Sequence, residues 1–531
     1  MKNRIISIST LLLVFSAVII SCQTQVKKTS DDALEKSFLE EITISQLQQG
    51  YKDGEFTITE VVQEYLMRID AIDKNGPMLN SIIQINPDAL TIAEKLDREM
   101  AAGNIRGPLH GIPVILKDNI DTHDKMPTTA GSLALKNSYP PKDSWLAEKL
   151  KEAGAIIIAK SNLSEWANFR ADFSSSGWSG VGGQTNNPYV LDRNPCGSSS
   201  GSGVAVSANL CALAFGTETN GSIVCPSTNN GIVGLKPTVG LISRSGIIPI
   251  SFTQDTPGPM ARSVEDVAIC LGELTGIDPM DSKTLESTEF VHSDYTKFLK
   301  PDGLKGKRIG LLTNTLGYHY KVDNLIEKTV AFLESQGAIV VEMEFPGDRS
   351  YRQASFQVLL YEFKDGLNKY LASLGSDAPV NNLEELIEFN KSEPVELSHF
   401  DQKILEMAQE KGDLESSEYK EALSKMLKDT RKDGIDKIMN EHNLHALMAP
   451  TGAPAWKTDL VNGDNFLGSS SSFAAISGYP NITIPMGFID ELPVGVSFFG
   501  RAWSEPVLLE IAYGYEQGTK HRKPPKYLVL K

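Results

Sequence analysis

CGSSSGSGVAVSANLCALAFGTETNGSIVCP, residues 196–226, is the stretch around which the rest of the chain can be ordered. Two clusters of small residues and hydroxyls flank Val204–Phe215, a run of small and apolar residues suited to a buried helix and strand. Two serine-bearing turns are therefore expected on one packed element. Gly201, Gly203 and Gly221 can take the positive φ of tight turns and let a substrate carbonyl approach the backbone. Nucleophiles and oxyanion donors are presented in this way. GSSSGSG alone equally fits a loop or linker. The second cluster, with Ser222 lying 24 positions after Ser198, argues for a site.

Working outward, GIPVILKDNID (Gly111–Asp121) leaves Lys117 exposed at the end of an apolar, strand-like run. Lysine commonly caps a sheet edge; within this apolar run, burial would depress its pKa and supply a neutral amine as base. Trp145–Ser161 reads as a helix, a stop at Gly154 and a buried strand, and Leu304–Leu312 with Asn324–Phe345 repeats that unit. Residues 38–103 read as helical, with Thr57 or Thr59 as a cap. Residues 351–441 break the alternation with charged helices, an inserted layer expected to shape the mouth of a site. Strands return at Ala446–Pro450, Asn481–Pro485 and Pro493–Phe499, and Glu505–Gln517 closes as a helix. Strands alternating with helices imply an α/β fold, a sheet covered on both faces. With 531 residues and 41% hydrophobic content, the chain can build one large core or two ordinary ones.

The pattern G-S-S-S-G, then G-S-I-x-x-P, preceded by GIPVILKDNID, resembles the amidase signature family of serine hydrolases. ISGYPNITIPMG from Ile476 and LPVGVSFFG after it resemble that family's C-terminal core. The resemblance runs from about Thr57 to Gln517, within one domain placed over 38–520, and implies a mixed β-sheet and a Ser-Ser-Lys triad. Ser222 would be the nucleophile, Ser198 the bridging serine and Lys117 the base. Backbone N–H groups of Thr219, Asn220, Gly221 and Ser222 would form the oxyanion hole, and a non-proline cis peptide would precede Ser198. The implied reaction converts a carboxamide to a carboxylate plus ammonia or an amine. The substrate would be a peptide or small-molecule amide; the peptide amidase branch puts peptide C-terminal amides first, with aryl and alkyl amides close behind. No metal or organic cofactor is implied. Cys196 and Asn220 stand where the family often has Gly, both compatible with tight turns, and Val224 replaces a frequent Arg.

Three other assignments compete. Gly197–Gly201 formally matches the G-x-S-x-G elbow, which would make Ser199 the nucleophile, although LDRNPC before it is a poor strand. A ligand-binding lipoprotein without chemistry has only the N-terminal segment in its favour. The A subunit of the tRNA amidotransferase, within the same family, conflicts with export.

Residues 1–21 read as an export signal: Lys2 and Arg4 precede the apolar Leu11–Ile20, too short for a spanning helix. Ile19-Ile20-Ser21-Cys22 resembles the bacterial lipobox, which implies lipidation of Cys22, a polar tether over 22–37 and attachment to the cell envelope. The formal net charge is −16, or −18 once Lys2 and Arg4 are removed. That balance excludes nucleic acid as a partner and leaves membrane attachment to lipid. Cys196, Cys211, Cys225 and Cys270 permit disulfides in an exported chain, while small, buried, unpaired roles fit equally well. His442 and His445, without a neighbouring Glu or Cys, read as helix-end surface residues and not as metal ligands. Oligomeric state stays open.

Overall fold

The computed structural model describes residues 37–375 and 378–529. The chain divides into two units, residues 1–40 and 41–531. Of the first, only residues 37–40 are described, a turn in which the Glu40 N–H donates to the Ser37 carbonyl. The signal segment 1–21, Cys22 and all of the tether but its last residue lie outside the described residues. No helix among the described residues is long and apolar enough to cross a membrane.

The second unit is built on one mixed, eleven-stranded sheet. Its strands are β1 (Ile82–Ile85), β2 (Pro113–Lys117), β3 (Ile156–Ser161), β6 (Leu213–Glu218), β7 (Val233–Lys236), β8 (Thr256–Ala261), β9 (Arg308–Leu312), β10 (Ile339–Met343), β11 (Ala446–Pro450), β12 (Asn481–Ile489) and β13 (Leu492–Phe499). β4 (Trp178–Ser179) and β5 (Gly183–Gln184) pair apart from it. The order across the sheet is β1-β3-β2-β6-β8-β7-β12-β13-β11-β9-β10. β2 runs parallel to both β3 and β6, whereas β8, β7, β12 and β13 form an antiparallel centre. A strand covered on both faces needs apolar residues throughout, which is why Ile156–Ala159 and Ala446–Pro450 were legible as strands.

Two parts of the sheet depart from the expectation. Ile82–Ile85 is an edge strand antiparallel to β3, inside the stretch expected to be wholly helical. Four residues are too few to display a period. β8, TPGPMA, carries two prolines, which argue against a central strand, yet it pairs with both β6 and β7. The helical expectation holds around β1 at Ile44–Asp53, Ile58–Arg68 and Ala89–Ala101. Thr57, not Thr59, is the cap: its hydroxyl accepts from the Glu60 N–H (3.1 Å) and the Glu60 carboxylate accepts from the Thr57 N–H (2.8 Å).

The inserted layer contains helices Tyr351–Ser373, Leu383–Ser392, Lys403–Gln409, Ser417–Leu427 and Asp436–Glu441. Leu360, Phe363 and Leu367 of its longest helix join one apolar cluster with Trp166, Phe169 and Ile250, so the layer leans on the loops beside the serine turns. At the other end, the N–H groups of Tyr527 and Leu528 donate to the carbonyls of Pro188 and Tyr189, which carries the folded unit beyond 520.

Candidate active site

β2 is an interior strand, so its last residue cannot reach solvent. Lys117 is fully buried, which corrects the exposure expected for it. Its Nζ donates to Ser198 Oγ (2.7 Å), Thr217 Oγ1 (2.8 Å) and the Thr217 carbonyl (3.2 Å). All three acceptors are neutral. Burial pulls the lysine pKa down to about 7, against the opposing charges of Asp255 and Glu218. Asn119 Nδ2 donates to the same Thr217 hydroxyl (3.0 Å). Thr217 and Asn119 were missed in the sequence, although a threonine in the apolar strand LAFGTE was a usable signal.

The first serine turn delivers Ser198 onto this lysine. The Gly197–Ser198 peptide is cis, as the resemblance implied, and Ser200 Oγ donates to the Cys196 carbonyl (2.6 Å). The helix Ser200–Ser207 then lies over β2, β3 and β6. Gly201 serves close packing and not positive φ: a Cβ there would run into the carbonyls of Ser81 and Asn162. Ser199 faces away from the cleft, with its Oγ donating to the Thr217 carbonyl (3.2 Å), and no strand leads into it. It is therefore not placed as an elbow nucleophile.

The second turn follows β6. Gly221 adopts φ +88°, and Ser222 comes beside the first turn, its carbonyl accepting from the Ser199 N–H (3.2 Å). Among the described residues no hydrogen bond joins the Ser198 and Ser222 hydroxyls. Ser222 opens on a cleft of about 650 Å3 that it lines with Thr219, Asn220 and Gly221. Among the described residues, none of the N–H groups of Thr219, Asn220, Gly221 and Ser222 donates to a protein group. The next two, Ile223 and Val224, both donate to the Glu218 carboxylate (2.8 and 3.0 Å). The turn thus presents a short row of unclaimed donors to the cleft. Asn220 is a strut and not a positive-φ residue: its side chain accepts from Ser471 Oγ (2.7 Å) and donates to Ser472 Oγ (3.3 Å).

A disulfide joins Cys196 to Cys225, tying the start of the first turn to the end of the second across a separation of 29 residues. Cys211 and Cys270 are buried and free, and burial pushes the Cys211 thiol up to about 12. Cys196 sits at φ +59°, a conformation that suits glycine. Trp456 packs on the disulfide, and the inserted layer contributes Arg352, Leu359 and Ile404 to the cleft walls, as expected of it. His442 and His445 are exposed, and no cluster of ligating side chains suited to a metal occurs among the described residues.

The amidase family model matches residues 60–509. The chain belongs to the amidase family. This amidase is 40% identical over 534 residues to a probable amidase of Arabidopsis thaliana, in a match that covers 98% of this chain and 97% of that protein. It is 49% identical to the native peptide amidase of Stenotrophomonas maltophilia, with a TM-score of 0.88 over 92% of this chain and 99% of that one. The A subunit of the glutamyl-tRNA(Gln) amidotransferase from Microcystis aeruginosa is 32% identical, the match covering 91% of this chain and 99% of that one. The amidase is an amide-hydrolysing enzyme on the mixed α/β fold that its three motifs implied.

Proposed function

We propose that this amidase hydrolyses primary carboxamides, peptide C-terminal amides first among them, through Ser222, Ser198 and Lys117. The observation that carries the reading is the buried Lys117 amine in hydrogen-bond contact with Ser198. As Ser222 Oγ attacks the carbonyl carbon, its proton passes to Ser198 and the proton of Ser198 to neutral Lys117. The oxygen, now negative, is met by the unclaimed N–H groups of Thr219–Ser222. Collapse breaks the C–N bond, and the proton returns through Ser198 to the departing nitrogen. Water then releases the acyl group by the same relay, leaving a carboxylate. The resting enzyme lacks the Ser198–Ser222 contact, and such catalytic hydrogen bonds commonly tighten only around substrate.

The peptide preference is supported by 49% identity to a peptide amidase and by a cleft of about 650 Å3, ample for several residues of an acyl chain. Export and lipid attachment at Cys22 are part of the same proposal, supported by the Lys2–Cys22 segment. The cysteine bridge beside the serines is at home in an oxidising compartment.

The test is labelling of the mature protein with a fluorophosphonate and mass mapping of the adduct, followed by ammonia release from peptide amides and aryl amides. Label on Ser222, absent in Lys117→Ala, is expected. Label elsewhere overturns the assignment, and faster hydrolysis of aryl amides overturns the peptide preference.

A further inference from the structure

We infer that Asp255 is a positioning residue for both halves of this site, latching the oxyanion turn through Thr219 while presenting its charge to Lys117. The inference rests on the proposed Ser-Ser-Lys reading. Asp255 is partly buried and engages both carboxylate oxygens with fixed partners. Oδ1 accepts from Thr219 Oγ1 (2.5 Å); Oδ2 accepts from the N–H groups of Ile250 and Ser251 (2.8 Å each). One oxygen thus holds the first residue of the turn that carries the unclaimed amides, and the other holds the loop packed against it. Charge-assisted bonds of this kind are the strong ones.

Thr219 is gripped a second time. Gln254 Nε2 donates to its carbonyl (3.2 Å), and Gln254 Oε1 accepts from Ser355 Oγ (2.6 Å) on the inserted layer. Hydroxyl and carbonyl are both engaged while the N–H stays free. Thr219 and Ile250 also form the partition between the Ser222 cleft and a second chamber of about 270 Å3, lined by Asp255, Asn119 and Thr217. Asp255 therefore lines the same chamber as Thr217, whose hydroxyl and carbonyl both accept from Lys117.

The groups that face Lys117 divide cleanly. Ser198 and Thr217 are neutral and in contact; the nearby carboxylates are Asp255, which shares a chamber with Thr217, and Glu218, the next residue on β6, and their charge opposes the downward pull of burial on the lysine. Glu218 is committed to the amides of Ile223 and Val224. Asp255 is the one that holds Thr219, the first residue of the oxyanion turn. Removing its charge should let Lys117 give up its proton at lower pH.

The experiment uses the full chain as wild type, Asp255→Asn, Thr219→Val and Thr219→Ser, with two readouts across pH: fluorophosphonate labelling of Ser222 and amide hydrolysis. In Asp255→Asn the pH limb is expected to move down by about half a unit or more, with kcat reduced about ten-fold or more and KM changed little. Thr219→Val, which keeps the charge, should lower kcat without moving the limb, and Thr219→Ser should restore it. A limb unmoved in Asp255→Asn overturns the electrostatic half, and full kcat in Thr219→Val overturns the latch even where Asp255→Asn does not fold. A wild type without a Lys117-dependent limb removes the Ser-Ser-Lys reading and this inference with it. A normal wild-type limb left in place by Asp255→Asn, together with full kcat in Thr219→Val, removes this inference alone.

Discussion

Lys117 Nζ and Ser198 Oγ meet at 2.7 Å inside the folded sheet, the amine donating to the hydroxyl and neither group reaching solvent. A lysine so placed is held near its own titration point by burial, with the two carboxylates pulling the other way.

Activity is expected to rise with pH through about 7 and flatten above it, because the proposed relay uses neutral Lys117. Lys117→Ala should lower kcat/KM about 100-fold or more. Initial rates measured from about pH 5 to about pH 9, on either side of the general base's titration, check both.

Lys117→Met should make the protein more stable. The folded chain holds the lysine pKa at about 7 against an ordinary 10.5, so between those values the unfolded chain binds the extra proton. The destabilisation is complete below about 7 and fades as pH rises toward 10.5. A displacement of one pKa unit is worth about 1.4 kcal/mol, which makes the gain from methionine a few kcal/mol at most at about pH 6. Thermal midpoints at about pH 6 and about pH 9 read the difference, which should be larger at the lower pH.

Ser222→Ala should abolish both labelling and turnover. Ser198→Ala should slow acylation while Ser222 remains the labelled residue, and Ser199→Ala should leave the site of labelling unchanged. Peptide mapping of the three variants separates these outcomes.

Reduction of Cys196–Cys225, or its replacement by two serines, should cost about 3 kcal/mol of stability and lower kcat by loosening both serine turns. Chemical denaturation with and without reductant measures the first, and assay under the same conditions the second.

Thr57→Ala, which removes a capping box remote from the serine turns, should cost about 1 kcal/mol and leave kcat and KM as they were. It provides the control for a purely structural loss.

The covered mixed sheet and the serine clusters that mark the family were legible in the sequence because each leaves a local mark. Long apolar runs mark interior strands, and two serine clusters at fixed spacing mark the turns. β8 hid behind Pro257 and Pro259, and β1 behind its four-residue length. Asp255 hid for a different reason: it acts through Thr219, a partner 36 positions away, and such a contact leaves no local pattern. Whether Cys196 and Cys225 pair was open for the same reason, since only the fold brings the two turns together.

The place of β12 and β13 also bears on how the chain emerges from the ribosome. This hairpin, residues 481–499, joins β7 on one side to β11 on the other and so closes the sheet. The serine turns are complete by Cys225, and at ordinary elongation rates the hairpin follows on the order of tens of seconds later. Throughout that interval β7 lacks its β12 neighbour and is an open edge able to pair with another nascent chain. Chains cut short before residue 481 therefore contain every residue of the proposed triad and still face aggregation before assembly. The last-made strands are the ones that join the two halves of the sheet.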